Sequence, residues 1–289
     1  PLPRTTYVGF SLTQADVDRA INTLESSDDE ATTTDLDSAF ADVLKVQSES
    51  DDDDEVIQET TGGVPCAAWR LAHCQQPGPT DEDRIDAVTL SDSRAVLAAY
   101  DGHGGKEVVD SLRHTLPAFL SSALSFGTPT SALESAFSYA DNIIVGTQPG
   151  TVGAAAAVVI VDNDAITCAN VGDVAVVLIQ SSGAPIILTT KHCKSNDEER
   201  KRVESSGAHW ANGGRVNGVL RVSRAFGDGD FKGRRAVKAW KTAFSSDPVI
   251  AMPSISVRKR SPSDALVLVM TDGVVDGFGS EHKAALYIR

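Results

Sequence analysis

Residues 100 to 105, Tyr-Asp-Gly-His-Gly-Gly, set a carboxylate and an imidazole among three glycines at the end of an apolar run over 95 to 100. Strand interiors disfavour both Asp and Gly, so this composition serves something besides folding. Other acids stand in comparable places. Glu82 and Asp83 precede a strand-like run over 85 to 89, and Asp228 follows Arg-Ala-Phe-Gly. Asp272 follows Val-Leu-Val-Met-Thr, and Asp276 comes four residues later, one turn if the chain coils there. Strand ends gather at the rim of a sheet, where acids far apart in the chain can meet. Such a cluster repels itself unless protons or cations neutralise it. Oxygen donors without a Cys/His grouping suit hard ions, Mg²⁺ or Mn²⁺. Without a side chain at Gly102, its carbonyl could approach such an ion closely. Taken singly, each Asp-Gly is also the composition of an ordinary turn.

The elements that must position these acids come next. Gly153–Val161 and Ala165–Val171 are apolar runs joined by Asp162-Asn163-Asp164, which predicts a hairpin. Further strands are predicted at Ala175–Gln180, at 185 to 189 and at 265 to 270, each bounded by turn-forming residues. Helical rhythm marks 106 to 124, through Val108, Val109, Leu112, Leu116, Phe119 and Leu120. It marks 131 to 145 as well, through Leu133, Phe137 and Ile143 or Ile144. Consecutive strands with helices gathered between them predict an antiparallel α+β layered domain rather than alternating βαβ units.

A chain of 289 residues, 41% apolar and 23% charged, reads as globular, and no apolar run approaches the roughly 20 residues that span a membrane. No membrane association is expected. The N-terminus lacks a basic region followed by an apolar segment, so no secretory signal is expected. Cys66, Cys74, Cys168 and Cys193 form no C-x-x-C pair and are too few for a disulfide scaffold. They read as reduced thiols in a cytoplasmic or nuclear protein. His192 with Cys193, and His73 with Cys74, are read as loop structure, since adjacent residues cannot close a tetrahedral metal site alone.

Charge is unevenly placed. Residues 1 to 60 hold 16 Asp and Glu against three Lys and Arg, so they account for −13 of the net −14. The block Asp-Asp-Asp-Asp-Glu at 51 to 55 repels itself and is expected to stay solvated. Two short helices are expected beside it. One follows the capping-box spacing of Thr13 and Asp16; the other carries Leu36, Phe40, Val43 and Leu44 on one face. Residues 1–60 are thus read as an acidic extension or insert, partly helical and partly disordered, with a possible protein partner. Residues 61–289 form the folded domain. No basic stripe exists to neutralise phosphates, so nucleic acid is not an expected partner.

The joint pattern resembles the metal-dependent type 2C family of Ser/Thr protein phosphatases. Five motifs carry the resemblance in order: Glu-Asp-Arg (82 to 84), Tyr-Asp-Gly-His-Gly-Gly (100 to 105), Ala-Asn-Val-Gly-Asp (169 to 173), Val-Ser-Arg-Ala-Phe-Gly-Asp (222 to 228) and Thr-Asp-Gly-Val-Val-Asp (271 to 276). The resemblance implies a four-layer α-β-β-α sandwich of two antiparallel sheets flanked by helices, with a two-metal centre at one edge. It implies Asp101 as the carboxylate bridging two Mg²⁺ or Mn²⁺ ions, Glu82 and the Gly102 carbonyl as ligands of one, and Asp272 as ligand of the other. Asp83 would orient bound water, Asp228 and Asp276 would serve a weaker third ion, and His103 would be a general acid. Asn170, Gly172 and Asp173 are read as a turn between strands, and Arg224 as a buried pairing residue for Asp228 or a neighbour.

Three departures from the family pattern stand out. The phosphate-binding Arg expected four residues before Glu82 is Gly78, and Arg70 is the candidate replacement if 71 to 79 form an inserted loop. Val174 stands where Ser is common. A further metal-binding Asp, from an Asp-Asn pair in later strands, is absent from these 289 residues, so an incomplete sequence is expected. The expected activity is hydrolysis of phosphoserine and phosphothreonine in proteins by a monomeric enzyme. The alternative is a catalytically weak scaffold that binds partners through its acidic segment.

Overall fold

The computed structural model describes residues 6–11, 70–75, 81–91 and 94–288. The helices expected around Val17 and Phe40, and the acid block at 51 to 55, lie outside the described residues.

Two sheets form the centre. One has the order β12-β6-β5-β4-β3, built from β3 (Asp83–Ser91), β4 (Arg94–His103), β5 (Gly153–Val161), β6 (Ala165–Val171) and β12 (Ser254–Lys259), all antiparallel. The short β11 (Phe226–Gly227) adds to β5. The other has the order β2-β1-β13-β7-β8, from β1 (Thr6–Ser11), β2 (Arg70–Gln75), β7 (Ala175–Gln180), β8 (Pro185–Ile187) and β13 (Asp264–Met270). It is antiparallel over β13, β7 and β8, while β1 and β2 join β13 in parallel. The first described strand therefore lies within the stretch that composition groups with the acidic segment. His73 and Cys74 sit in β2 rather than in a loop.

Alternation along the strands sorts side chains into layers. Leu97, Ala99, Ala155, Ala157 and Val159 meet Val174, Val176, Leu178, Val267 and Val269 between the sheets. Their neighbours point the other way. Ala98, Tyr100, Ala154, Ala156 and Val158 pack under α1 (Glu107–Leu124) and α2 (Pro129–Thr147) through Val108, Leu112, Leu116, Phe137 and Ile144. On the outer side of the second sheet, Val177, Ile179, Leu268 and Met270 pack under α5 (Asp272–Phe278) and α6 (Glu281–Ile288). Every residue of β5 is buried, because a central strand covered on both faces has no solvent side. The result is the expected α-β-β-α sandwich.

Local signals fix the helix starts. Thr128 caps α2, its hydroxyl accepting from the Ser131 N–H at 3.3 Å, with Pro129 at the first helical position. Asn196 caps α3 (Asp197–Ser205) through its side-chain oxygen, 3.0 Å from the Glu198 nitrogen. Beyond α3 lie the hairpin of β9 (Trp210–Ala211) and β10 (Arg215–Val216), then α4 (Gly233–Trp240). Val203, Val216, Val222, Ala225, Phe231 and Val249 give this region its own small core.

Candidate active site

The chain does not stop its strand at Asp101. β4 runs on through Asp101, Gly102 and His103, so the pleat decides where each side chain goes. Asp101 and His103 share the parity of Leu97 and Ala99 and enter the layer between the sheets at its rim. Gly102 takes the opposite parity, toward α1. A Cβ there would sit 2.5 Å from the Glu82 carbonyl oxygen and 3.0 Å from Val109 Cγ1, so glycine is required. The Gly102 N–H donates to that same carbonyl at 3.1 Å, and Asp83 pairs with Asp101 across the ladder. Arg84 anchors this acidic segment: its Nε donates to Asp110 of α1 and its Nη1 to the Asp81 carbonyl, both at 2.9 Å.

The second sheet supplies the facing acids. Asp272 opens α5 directly after β13, and its N–H donates to Asp101 Oδ2 at 3.3 Å across the gap between sheets. Asp276 follows one turn later, exposed. Asp173 lies in the turn from β6 to β7 that the sequence predicts, and it contributes charge as well as a turn. Burial, with the charges of Asp272, Asp83 and Asp173, raises the pKa of Asp101 well above the usual carboxylate range. Burial and the charge of Asp272 push Asp173 up to about 6. This rim carries more negative charge than its own residues compensate.

His103 stands beside the cluster. Its Nε2 lies 3.0 Å from Asp228 Oδ1 and 2.8 Å from Oδ2. Burial alone disfavours the imidazolium, but the hydrogen bond and charge of Asp228, with Asp173 and Glu82 beyond, raise the pKa above its ordinary 6.5. Asp228 is 2% exposed and adopts the left-handed φ of 49°, and its N–H donates to the Val152 carbonyl at 2.8 Å. The strand that presents it is clamped. Asp141 of α2 accepts from the Gly227 N–H at 2.9 Å and from the buried Lys232 ammonium at 2.8 Å, while Lys232 also donates to the Ala225 carbonyl at 2.9 Å. A Cβ on Gly153 would collide with both Asp228 and His103.

Glu82, Asp83, Asp101, Gly102 and Asp272 are thus brought to one rim, with His103 beside them. Asp228 and Asp276 have different surroundings: Asp228 pairs with His103, and Asp276 is exposed, its charge acting weakly on Lys191. The register sets the Arg70 backbone apart. It pairs with Thr6, which is level with Leu266, six residues before Asp272 and about 20 Å along the strand at 3.3 Å per residue. Arg224 pairs with Glu199, not Asp228, with Nη2 2.6 Å from Oε1. Three participants escape the sequence reading, Asp173 as a charge, Asp141 and Lys232. An acid in a Gly-Asp turn and an Asp on an amphipathic helix carry no local mark of a site.

The rim fits divalent cations in its donor chemistry, because its oxygen donors are half-buried, crowded and only partly offset by the positive charge nearby. The buried Thr271 hydroxyl beside Asp272 also has no hydrogen-bond partner among the described residues. No group of three or more His, Cys, Asp or Glu among the described residues already encloses a point where an ion would sit. Glu82, Asp101 and Asp272 are the residues that would hold one.

The family model for protein phosphatase 2C matches residues 71–286. Protein phosphatase 2C homolog 2 of Schizosaccharomyces pombe is 33% identical over 218 residues, covering 72% of this chain and 56% of that protein. Probable protein phosphatase 2C 69 of Arabidopsis thaliana is 30% identical over 211 residues, covering 71% of this chain and 55% of that one. The chain spans about half the length of the curated relatives it matches. Among solved structures, a serine-threonine phosphatase 2C from Toxoplasma gondii superposes with a TM-score of 0.55 at 16% identity, over 72% of this chain and 83% of that one. A C. elegans sex determining protein superposes at 0.59 and 21% identity, over 91% and 68%. These two likenesses are of fold. With the family model covering most of the domain and the rim of acids in the family's order, the chain belongs to the protein phosphatase 2C family.

Proposed function

We propose that this chain is the catalytic portion of a Ser/Thr protein phosphatase that hydrolyses phosphoserine and phosphothreonine with the help of Mg²⁺ or Mn²⁺. The observation that carries the reading is the convergence of Asp83, Asp101, Asp173 and Asp272 on one rim, beside a His103 held by Asp228. Glu82, Asp101, the Gly102 carbonyl and Asp272 are the residues that would hold the cations. When bound, a pair of divalent ions supplies positive charge for the phosphoryl oxygens and a water activated for attack. Asp83, locked beside Asp101 by the β3–β4 ladder, orients that water. His103, whose charge burial disfavours but whose pKa the hydrogen bond and charge of Asp228 raise above the ordinary 6.5, gives its proton to the departing Ser or Thr oxygen as the P–O bond breaks. One water is consumed, and no covalent enzyme intermediate forms. Both oxygens of Asp228 face His103, so Asp228 is assigned to that imidazole and not to an ion.

The test is phosphate release from a phosphothreonine peptide with Mn²⁺ or Mg²⁺. Asp101→Asn and Asp272→Asn are each expected to lose about a hundredfold or more, and chelation to abolish release in the wild type. A folded, cation-loaded wild-type chain that releases no phosphate would overturn the reading.

A further inference from the structure

We infer that Lys191 is a built-in counter-charge of the acidic rim, steered by Glu281, and that this pair sets how tightly cations are held at the rim beside the turn of Asp173. The inference rests on the cation-dependent reading above. Lys191 sits on a strap that is fixed to the turn carrying Asp173. Asn170 Nδ2 donates to the Thr190 carbonyl at 2.8 Å, the Thr190 N–H returns to Asn170 Oδ1 at 3.2 Å, and the His192 N–H donates to the Gly172 carbonyl at 3.0 Å. These three bonds, two at Thr190 and one at His192, leave the backbone of Lys191 little freedom. Its ammonium lies 2.7 Å from Oε1 of Glu281, in the first turn of α6, the helix after the one that carries Asp272 and Asp276.

Lys191 thus joins the strap beside the Asp173 turn to the helix that follows α5. Partial burial works against its charge, but the hydrogen bond and charge of Glu281, with the charges of Asp173 and Asp276 beyond, raise its pKa above the ordinary lysine value. Glu281 is the better covered partner, at 16% exposure against 47% for Lys191, so the acid is the fixed post and the lysine the movable arm. A monovalent charge tethered beside Asp173 repels a divalent ion held by the neighbouring Asp101 and Asp272. Glu281 holds it back and so moderates the repulsion.

Calorimetric titration of the full chain with Mn²⁺ tests this independently of turnover. Lys191→Met is expected to bind Mn²⁺ about fivefold more tightly, and Lys191→Arg to resemble the wild type. Glu281→Gln, which frees the ammonium toward Asp173 and Asp276, is expected to bind severalfold more weakly, and both differences should shrink in high salt. Lys191 is exposed, so its replacement leaves the core intact, and matching thermal melts of the metal-free variants will verify that. Wild-type Mn²⁺ binding that neither Lys191→Met nor Glu281→Gln alters would overturn the inference and leave the phosphatase reading standing. A wild type that neither binds Mn²⁺ nor releases phosphate would remove both.

Discussion

At the scale of single residues, the site depends as much on missing side chains as on present ones. Gly102 separates Asp101 from His103 and lets β3 approach β4 closely enough for its N–H to reach the Glu82 carbonyl. Gly102→Ala places a methyl group against that backbone oxygen, which cannot rotate away. The expected outcome is a loss of about 1–3 kcal/mol in urea unfolding, with cation affinity lowered at least tenfold because the Asp83–Asp101 register shifts. An unchanged titration curve for a stable Gly102→Ala chain would mean that the ladder does not position the acids. The motif around Gly102 was readable in the sequence because so few side chains tolerate its neighbourhood. Asp173 was readable only as a turn, since nothing beside it in the chain shows that Asp101 and Asp272 lie across the gap.

At the scale of elements, the strap from 188 to 193 joins the two sheets near the site. Its Leu188 N–H donates to the Val176 carbonyl of β7 at 2.8 Å, and its buried His192 lies with Nε2 2.8 Å from the Ser254 hydroxyl of β12. Burial and the charge of Arg224 lower the pKa of His192 to about 4. Because the unfolded chain takes up this proton near pH 6.5 and the folded chain only near 4, stability falls as pH drops between those values, by roughly 3 kcal/mol at most. Glu199 extends the loss. Burial opposes its charge, but hydrogen bonds from Arg224, Arg202 and Ser223 bring it down to about 2, so its contribution disappears between pH 4.5 and 2. Asp173 acts in the opposite sense, relieved as pH falls through about 6. His192→Gln is therefore expected to flatten the limb between pH 6.5 and 4 in urea unfolding measured across pH. A limb unchanged by that substitution would assign it to other groups. The sequence marked His192 only as part of a loop, for burial of a histidine is decided by which strands cover it.

At the scale of the whole molecule, two sheets and two helix pairs hold several acids close together at one rim, and that arrangement is costly without cations. A cation that binds only the folded chain stabilises it by about 2.7 kcal/mol at a hundredfold excess over Kd, which for a domain of this size raises Tm by roughly 5–10 °C. Mn²⁺ is expected to produce this shift in the wild type and not in Asp101→Asn. Metal-free Asp101→Asn should itself melt higher than the metal-free wild type, because it removes one of the repelling charges. Equal shifts in both chains would place the cation elsewhere. Apolar runs and helical rhythm determined β3 to β8, β13, the two long helices and the layered class, because a run such as Gly153–Val161 can be buried on both faces only inside a covered sheet, whereas β1, β2 and β12 were not marked. Motif order determined the family, since each motif is a local constraint written in adjacent residues. Tertiary structure alone decided that Asp228 pairs with His103, that Arg224 pairs with Glu199, that the Arg70 backbone lies far back along its strand, and that Lys191 pairs with Glu281. Pairings of that kind depend on register and on the packing of one sheet over another, and neither is encoded in the spacing of neighbours along the chain.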